Sequence, residues 1–169
     1  MIGMAIDRGM IIGNQIVETF YAAGHGGQYI FVCPALDCVT VITSKWVGNP
    51  FGEFRPQMLL VNYILPAMLP PTSPELTKIE PAALEKFTGQ YEFPKWKIEA
   101  SVRRKGGKLF IDLPKCAEGE LIPVEKNQFL YSLKGYGDLR IKFAENSTGE
   151  ITQMVAYFGY ANITFKKNT

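Results

Sequence analysis

Alternating apolar and polar side chains fill the second half of the chain, where short β-rich runs recur between turn residues. Two runs show the alternation most clearly: Leu109, Ile111 and Leu113, and Leu139, Ile141 and Phe143. A period of two is typical of strands that bury one face. The pattern predicts strands at residues 91–93, 97–103, 108–113, 120–124, 128–133, 138–143, 150–158 and 162–166.

About eight short strands joined by tight turns predict a closed antiparallel meander over residues 81–169. Closure removes the exposed strand edges that an open sheet would present. A small up-and-down barrel is therefore the first choice of fold, and a sandwich is the second. A short helical turn at residues 82–87 precedes the first strand of this unit.

The first part of the chain carries three further β-rich runs, at residues 16–22, 28–33 and 38–43. In the last of them Val39 and Val41 share one face and Ile42 lies on the other, so both faces are mainly apolar. Such a strand is typical of a sheet that is covered on both sides. We expect two or three antiparallel strands in this part of the chain.

Helical spacing replaces the period of two after residue 50. The apolar positions of this segment are Phe54, Met58, Leu60, Val61, Ile64, Leu65 and Met68. Their spacing predicts a helix over residues 51–69 with a wide apolar face that packs on the sheet. Pro56 fits in the first turn, whereas Pro66 would kink or end the helix. The chain is therefore predicted to be α+β, with short antiparallel strands and one helix followed by an all-β barrel.

Charge is distributed unevenly, because only seven charged side chains lie in residues 1–70. Residues 71–80 are rich in proline, which neither a helix interior nor a central strand tolerates. We therefore predict a first unit at residues 1–70, a linker at 71–80 and a second unit at 81–169. The first unit alone would leave apolar faces open to water, so we expect a homo-oligomer through residues 11–69 or a covering portion of the same protein.

Composition narrows the possible partners. No segment has the roughly 20 apolar residues of a membrane-spanning helix, and a net charge of +2 gives no reason to expect nucleic-acid binding. With one histidine and three cysteines, no metal-ligand spacing occurs, and we expect neither a metal nor another cofactor.

Cys33 and Cys38 flank a predicted hairpin turn. We interpret them as reduced strand residues, with a disulfide as the alternative, because a bridge needs specific Cβ geometry.

Five aromatic residues of the second unit could line a ligand pocket, because small barrels sometimes hold one small molecule. They are Trp96, Tyr131, Tyr136, Tyr157 and Tyr160. We favour the alternative, in which they pack in the core and at the rim, because a barrel of this size is mostly filled by its own side chains.

Residues 20–34 and their continuation at 36–43 resemble the last conserved block of the serine β-lactamase and penicillin-binding-protein-like hydrolases, in the class C β-lactamase and esterase branch. This resemblance makes His25, Gly26 and Gly27 the third active-site motif, on an edge strand beside the nucleophile. It also makes the helix at residues 51–69 the C-terminal helix of that fold. The second unit is similar to the lipocalin-like β-barrel often appended to such a hydrolase domain.

The resemblance implies roles for the residues of this motif. His25 would donate a hydrogen bond or positive charge towards a substrate carboxylate or the tetrahedral intermediate, and the Gln28 N–H would be one of two oxyanion donors. Gly26 and Gly27 would let the substrate backbone approach the strand. By spacing alone, residues 24–27 are better explained as a plain turn between two strands.

The family's nucleophile motif, Ser-x-x-Lys, occurs nowhere in the chain, and Ser44 is one of five serines that lack the lysine. The family's Tyr-x-Asn motif is matched in letters only, far downstream, at residues 160–162. The resemblance therefore implies a bacterial C-terminal fragment whose missing catalytic portion would complete an acyl-serine hydrolase of amides or esters. The fragment would be inactive alone, and periplasmic or extracellular if the full-length family pattern holds. The alternative is a non-enzymatic barrel module that binds a ligand or partner, with the first unit as an oligomer interface.

Overall fold

A computed structural model describes residues 3–12, 15–45, 52–70, 76–114, 116–133, 137–158 and 161–168. The chain divides into two compact units, Met1–Pro74 with Phe158–Ala161 and Glu75–Tyr157 with Asn162–Thr169. Of the predicted linker, residues 71–75 lie outside the described residues. In its remainder, Thr77 donates its N–H to the Pro123 carbonyl at 3.1 Å and its hydroxyl to the Val124 carbonyl at 2.7 Å.

A four-stranded antiparallel sheet forms the first unit. Its strands lie in chain order as β1 (Gly3–Ile12), β2 (Gln15–Gly24), β3 (Gln28–Cys33) and β4 (Cys38–Ile42). Strand β1 is an addition to the two or three strands that the sequence predicted. Its pairing with β2 shifts register between Asp7 and Met10, where a charged pair and a glycine interrupt the apolar alternation. Such an interruption hides a strand from a search for period two.

Helix α1 (residues 55–68) follows the sheet, after a 3₁₀ turn at Gly52–Phe54. Its middle part, Leu60–Ile64, is a π-helical turn in which the Leu65 N–H donates to the Leu60 carbonyl. Pro66 accounts for the wider turn, because proline offers no N–H to the carbonyl four residues before it and its ring crowds that carbonyl. The predicted helix is therefore confirmed, and it ends at Met68, close behind the proline.

The core of the first unit lies between α1 and one face of the sheet. Leu60 and Leu65 of the helix are buried in one cluster with Phe31 and Cys33 of β3. Tyr29 stacks on Phe31 in the same cluster, with ring centroids 5.2 Å apart. The helix thus covers the face of the sheet that carries these three β3 side chains.

A closed eight-stranded antiparallel barrel forms the second unit, as the sequence predicted. Its strands are β5 (Gly89–Phe93), β6 (Ile98–Lys105), β7 (Lys108–Asp112), β8 (Gly119–Glu125), β9 (Gln128–Leu133), β10 (Gly137–Glu145), β11 (Ile151–Phe158) and β12 (Ala161–Lys167). Each strand pairs with its neighbours along the chain, and β12 closes the barrel on β5. At this seam Lys166 lies opposite Glu92 and Lys167 opposite Tyr91.

Aromatic rings fill the barrel interior next to the 3₁₀ helix Pro81–Phe87. The buried Phe87 ring lies 5.1 Å from Phe129 and 5.0 Å from Phe143, centroid to centroid. The Tyr91 hydroxyl donates to the Phe87 carbonyl at 2.7 Å, and burial raises the pKa of Tyr91. The 3₁₀ helix is therefore anchored in the barrel by its last residue.

Strand β6 contains three consecutive basic residues, at positions 103–105. Their side chains form ion pairs with carboxylates. Arg103 contacts Asp112 at 3.4 Å and Glu118 at 3.3 Å, and Lys105 contacts Glu118 at 2.8 Å. The hydrogen bond from Lys105 is the largest cause that lowers the pKa of Glu118. Among the described residues, no helix has the length and apolar character that crossing a membrane requires.

Candidate functional site

The residues of the predicted active-site motif form the turn between β2 and β3. His25, Gly26 and Gly27 connect Gly24, the last residue of β2, to Gln28, the first residue of β3. Gly26 and Gly27 have φ angles of 83° and 86°. This left-handed conformation costs most other residues about 1–2 kcal/mol, so the geometry of the turn by itself explains both glycines.

The resemblance predicted that the motif lies on an edge strand. This prediction is wrong, because β3 is an internal strand of the sheet. It lies between β2 and β4, and β2 is itself flanked by β1. The motif therefore lies at one end of two internal strands. His25 and Gln28 are exposed there, whereas Gly27 is buried. The roles of His25 and of the Gln28 N–H in a reaction stay predictions.

Two reciprocal hydrogen bonds fasten this turn to the segment after β4. The Gln28 Nε2 donates to the Ser44 carbonyl at 2.8 Å, and the Ser44 hydroxyl donates to the Gly27 carbonyl at 2.8 Å. Sequence reasoning treated Ser44 only as a serine without its lysine. The signal that could have found it is the register of the hairpin, because Tyr29 opposite Ile42 brings residue 44 next to residue 27.

The side chains at this turn can hold the turn in place or contact a ligand, but none of them is an activated nucleophile. The Ser44 hydroxyl donates its proton to a carbonyl oxygen, a contact that does not activate it, since a nucleophilic serine needs a base to accept that proton. His25 offers an exposed imidazole, and the glycines leave the approach free of side chains. An acyl transfer at this turn would need an activated nucleophile from another segment.

The face of the sheet opposite α1 is apolar and exposed. Its exposed large side chains, here called the open face, are Ile16, Ile30, Val39 and Val41. Ile30 lies opposite Val41 in the register of β3 and β4. Val39 and Val41 are 65% and 64% exposed, and Ile16 is 73% exposed. The described residues of the first unit thus provide a helix for one face of the sheet and leave the other in contact with solvent.

Two of the aromatic residues considered as pocket lining, Tyr131 and Trp96, contact other residues of the barrel unit. Tyr131 is buried, its hydroxyl donates to the Ala117 carbonyl at 2.6 Å, and burial is the largest cause that raises its pKa to about 12. Trp96 contacts Phe93 edge-on, with ring centroids 5.3 Å apart. Tyr157 is half-buried on β11. Tyr136 and Tyr160 lie outside the described residues.

A cleft of about 680 Å³ opens on the barrel where β11 begins and β12 ends. We call it the lysine cleft after its cationic lining residues, Lys86, Lys166 and Lys167. The Lys167 ammonium donates to the Lys86 carbonyl at 2.9 Å. Its side chain crosses Gly89, where a Cβ would lie 2.7 Å from the Lys167 Cε. Burial lowers the pKa of Lys167 and the nearby Glu150 opposes this, while Lys86 pairs with Glu145.

Comparison with known proteins points to the second unit. A family described as a domain of unknown function (DUF3471) matches residues 73–167, the span that contains the barrel. No curated protein matches the chain. Within the described ranges, no group of three or more His, Cys, Asp or Glu side chains could hold a metal ion.

Proposed function

The chain belongs to the family described as a domain of unknown function (DUF3471), and we propose that it is the C-terminal part of a β-lactamase-like serine hydrolase. The family description states no activity, so the support for this proposal comes from the first unit. The complete enzyme would hydrolyse an amide or ester through an acyl-serine intermediate. This chain would contribute one side of the active site and a lipocalin-like barrel, and it would be inactive alone.

The open face is the observation that carries the proposal. A sheet with two apolar faces needs cover on both, and α1 covers only one. Fully burying a valine or isoleucine side chain stabilises a protein by roughly 1.5–3 kcal/mol. Covering the open face would therefore stabilise the assembled protein substantially. The nucleophile-bearing portion of a serine hydrolase would cover the open face, because the resemblance at residues 20–43 assigns this sheet and α1 to the end of such a domain.

The turn would act on the charge that develops during acyl transfer. The exposed His25 would donate to a substrate carboxylate or to the tetrahedral intermediate, and the Gln28 N–H would be an oxyanion donor. The hydrogen bonds between Gln28, Ser44 and Gly27 would hold the turn in place. The serine nucleophile and its lysine would come from the remaining portion of the enzyme.

The size of the native gene product tests this proposal most directly. Intact-mass measurement of the protein, isolated with an antibody against residues 81–169, would reveal its length. We expect a product several hundred residues long, with Ser-x-x-Lys upstream of the present sequence. In that product His25→Ala should lower kcat/KM by roughly 10²–10³, the usual effect of losing a preorganised donor. A native product limited to this sequence would contradict the proposal.

Assays of the present chain give a second test. We expect no turnover of a chromogenic cephalosporin or a short-chain nitrophenyl ester above the buffer rate, because the nucleophile accounts for most of the catalytic factor. Turnover that disappears in His25→Ala or Ser44→Ala would reveal a complete active site in this chain and contradict the proposal. Slow ester cleavage that both variants retain is surface chemistry and agrees with it.

The lysine cleft favours a second function, the binding of a small anion by a non-enzymatic barrel. Lys167 is held against the barrel by the Lys86 carbonyl and by its passage over Gly89, so its ammonium is positioned before any ligand arrives. Lys166 adds an exposed charge at the same cleft. In this alternative the open face would be covered by a second copy, in a homo-oligomer through residues 11–69.

A calorimetric titration with inorganic phosphate tests the second function. Binding should be lost in Lys167→Gln and kept in Lys126→Gln, a matched control whose side chain is 80% exposed and absent from the cleft lining. Sedimentation should also show a dimer or higher oligomer. A monomer that binds no phosphate would exclude this function and leave the hydrolase proposal unaffected.

A further inference from the structure

Cys33 and Cys38 end the two strands of one hairpin and lie directly opposite each other. Opposite residues of an antiparallel pair direct their side chains to the same face, with Cβ atoms about 4.5–5.5 Å apart. Both thiols are free. The connection between them is fixed by a 3₁₀ turn at Pro34–Leu36 and by Asp37, whose N–H donates to the Pro34 carbonyl at 3.1 Å.

The two thiols differ in their access to solvent. Cys33 is fully buried, and its Sγ lies 3.5 Å from the Thr19 hydroxyl. Cys38 is only half-buried, with its Sγ 3.5 Å from the Thr40 hydroxyl. Burial is the largest cause that raises the pKa of Cys33, and the neighbouring Cys38 raises it further. Cys38 is thus the more accessible of the two thiols, and Cys33 lies directly across the hairpin from it.

We propose that Cys33 and Cys38 form a dithiol–disulfide modification site that is oxidised by low-molecular-weight disulfides. The Cys38 thiolate attacks one sulfur of the reagent, which forms a mixed disulfide and releases one thiol. Cys33 then loses its proton and attacks the Cys38 sulfur, which forms the protein disulfide and releases the second thiol. Two protein S–H bonds are lost, one S–S bond is formed, and the reagent is reduced to two thiols.

Reversibility follows from the position of the pair. A relaxed disulfide has its Cβ atoms about 3.5–4.5 Å apart, which is closer than opposite residues of a relaxed hairpin. Closing the bond therefore draws the ends of β3 and β4 together, and strained disulfides are the more easily reduced ones. The site lies at the end of β3 that is remote from Gln28 and the glycine turn, so it is independent of the proposed hydrolase function.

The test uses the full chain with Cys116→Ser, which leaves Cys33 and Cys38 as its only thiols. After treatment with oxidised glutathione and alkylation with iodoacetamide, we expect an intact mass lower by two hydrogen atoms, with no alkylation. Dithiothreitol should restore both thiols. With Cys33→Ser added, glutathione should remain attached to Cys38, because the resolving thiol is absent.

Two outcomes would overturn the proposal. One is a stable glutathione adduct on Cys38 while Cys33 is still open to alkylation after unfolding. The other is alkylation of both thiols after the oxidant has been applied. Peptide mapping of the oxidised wild-type chain gives an independent measurement if a variant fails to fold: a bond that joins Cys33 to Cys38 supports the proposal, and any other pairing contradicts it.

Discussion

The barrel and the sheet are both antiparallel meanders, but they differ in how they bury their apolar faces. In the barrel, β12 pairs with β5, and the inward faces share one interior filled by Phe87, Phe129 and other rings. In the sheet, β1 and β4 end the order of strands and α1 packs on one face only. The barrel closes on its own strands, whereas the described residues leave the open face of the sheet exposed. Alternation of apolar and polar residues thus predicts a closed barrel more fully than it predicts an open sheet with an exposed apolar face.

The largest loss of stability should follow the removal of one ring from the barrel interior. Phe143→Ala deletes a buried side chain that contacts Phe87, Tyr91 and Phe129. We expect a loss of about 3–5 kcal/mol in the free energy of unfolding, measured by urea denaturation with near-UV circular dichroism. Phe110→Ala, at a half-buried position of β7, is the control. Equal losses in the two variants would contradict the account of a filled interior.

A smaller effect should come from adding one carbon atom to the barrel. At Gly119 a Cβ would lie 2.4 Å from the Cε2 of the Tyr131 ring. Gly119→Ala should cost about 1–3 kcal/mol of the free energy of unfolding, the usual range for overpacking. Most of this loss should be recovered when Tyr131→Leu is the background, because the clashing ring atoms are gone. Failure of the second change to relieve the first would exclude the clash as the cause.

The ion pair between Lys86 and Glu145 should make barrel stability depend on pH. Hydrogen bonds from Lys86 and Asn127 are the largest causes that lower the pKa of Glu145 from its ordinary 4.5. A lowered carboxyl pKa contributes stability above the unfolded-state pKa, and this contribution is lost as the pH falls through the folded-state pKa. We expect Tm to fall as the pH drops below the ordinary carboxyl pKa of 4.5, and to fall less in Glu145→Gln. Parallel Tm profiles of the two proteins would refute this role of the pair.

The smallest change in stability is expected on the open face. Val39→Thr combined with Val41→Thr should alter the free energy of unfolding by no more than about 0.5 kcal/mol per site, because surface substitutions rarely do more. The same variant should bind less of a dye that reports exposed apolar surface. Val102→Thr, the same change at a buried barrel position, should cost about 1–3 kcal/mol through an unsatisfied hydroxyl. Similar losses at the two places would mean that the open face is covered.

Sequence reasoning reached most of the barrel because its signals are local. The run at residues 128–133 was predicted with the bounds that β9 has, since its alternation lies between two turns. Strand β1 was missed because its alternation is interrupted where the register shifts between Asp7 and Met10. Periodicity records which side a residue faces only while the register holds.

The candidate site was predicted less completely, because its geometry depends on pairing between strands. His25 and Gly27 were nominated only by the family resemblance, and the opposition of Cys33 and Cys38 followed from a short hairpin. The internal place of β3 and the contact of Ser44 with Gly27 depend on strand order and register. Neither property is written in the spacing of one segment.

The seam between β12 and β5 has a consequence for synthesis on the ribosome. Every other pairing in the barrel joins strands that are neighbours along the chain, so those hairpins can form as the chain emerges. The seam joins Lys166 to Glu92, and it cannot form until β12 has been translated. Until then the nascent meander exposes β5 and its newest strand as unpaired edges, which favour association with other chains. Release of β12 from the ribosome is therefore the step that ends this vulnerable period.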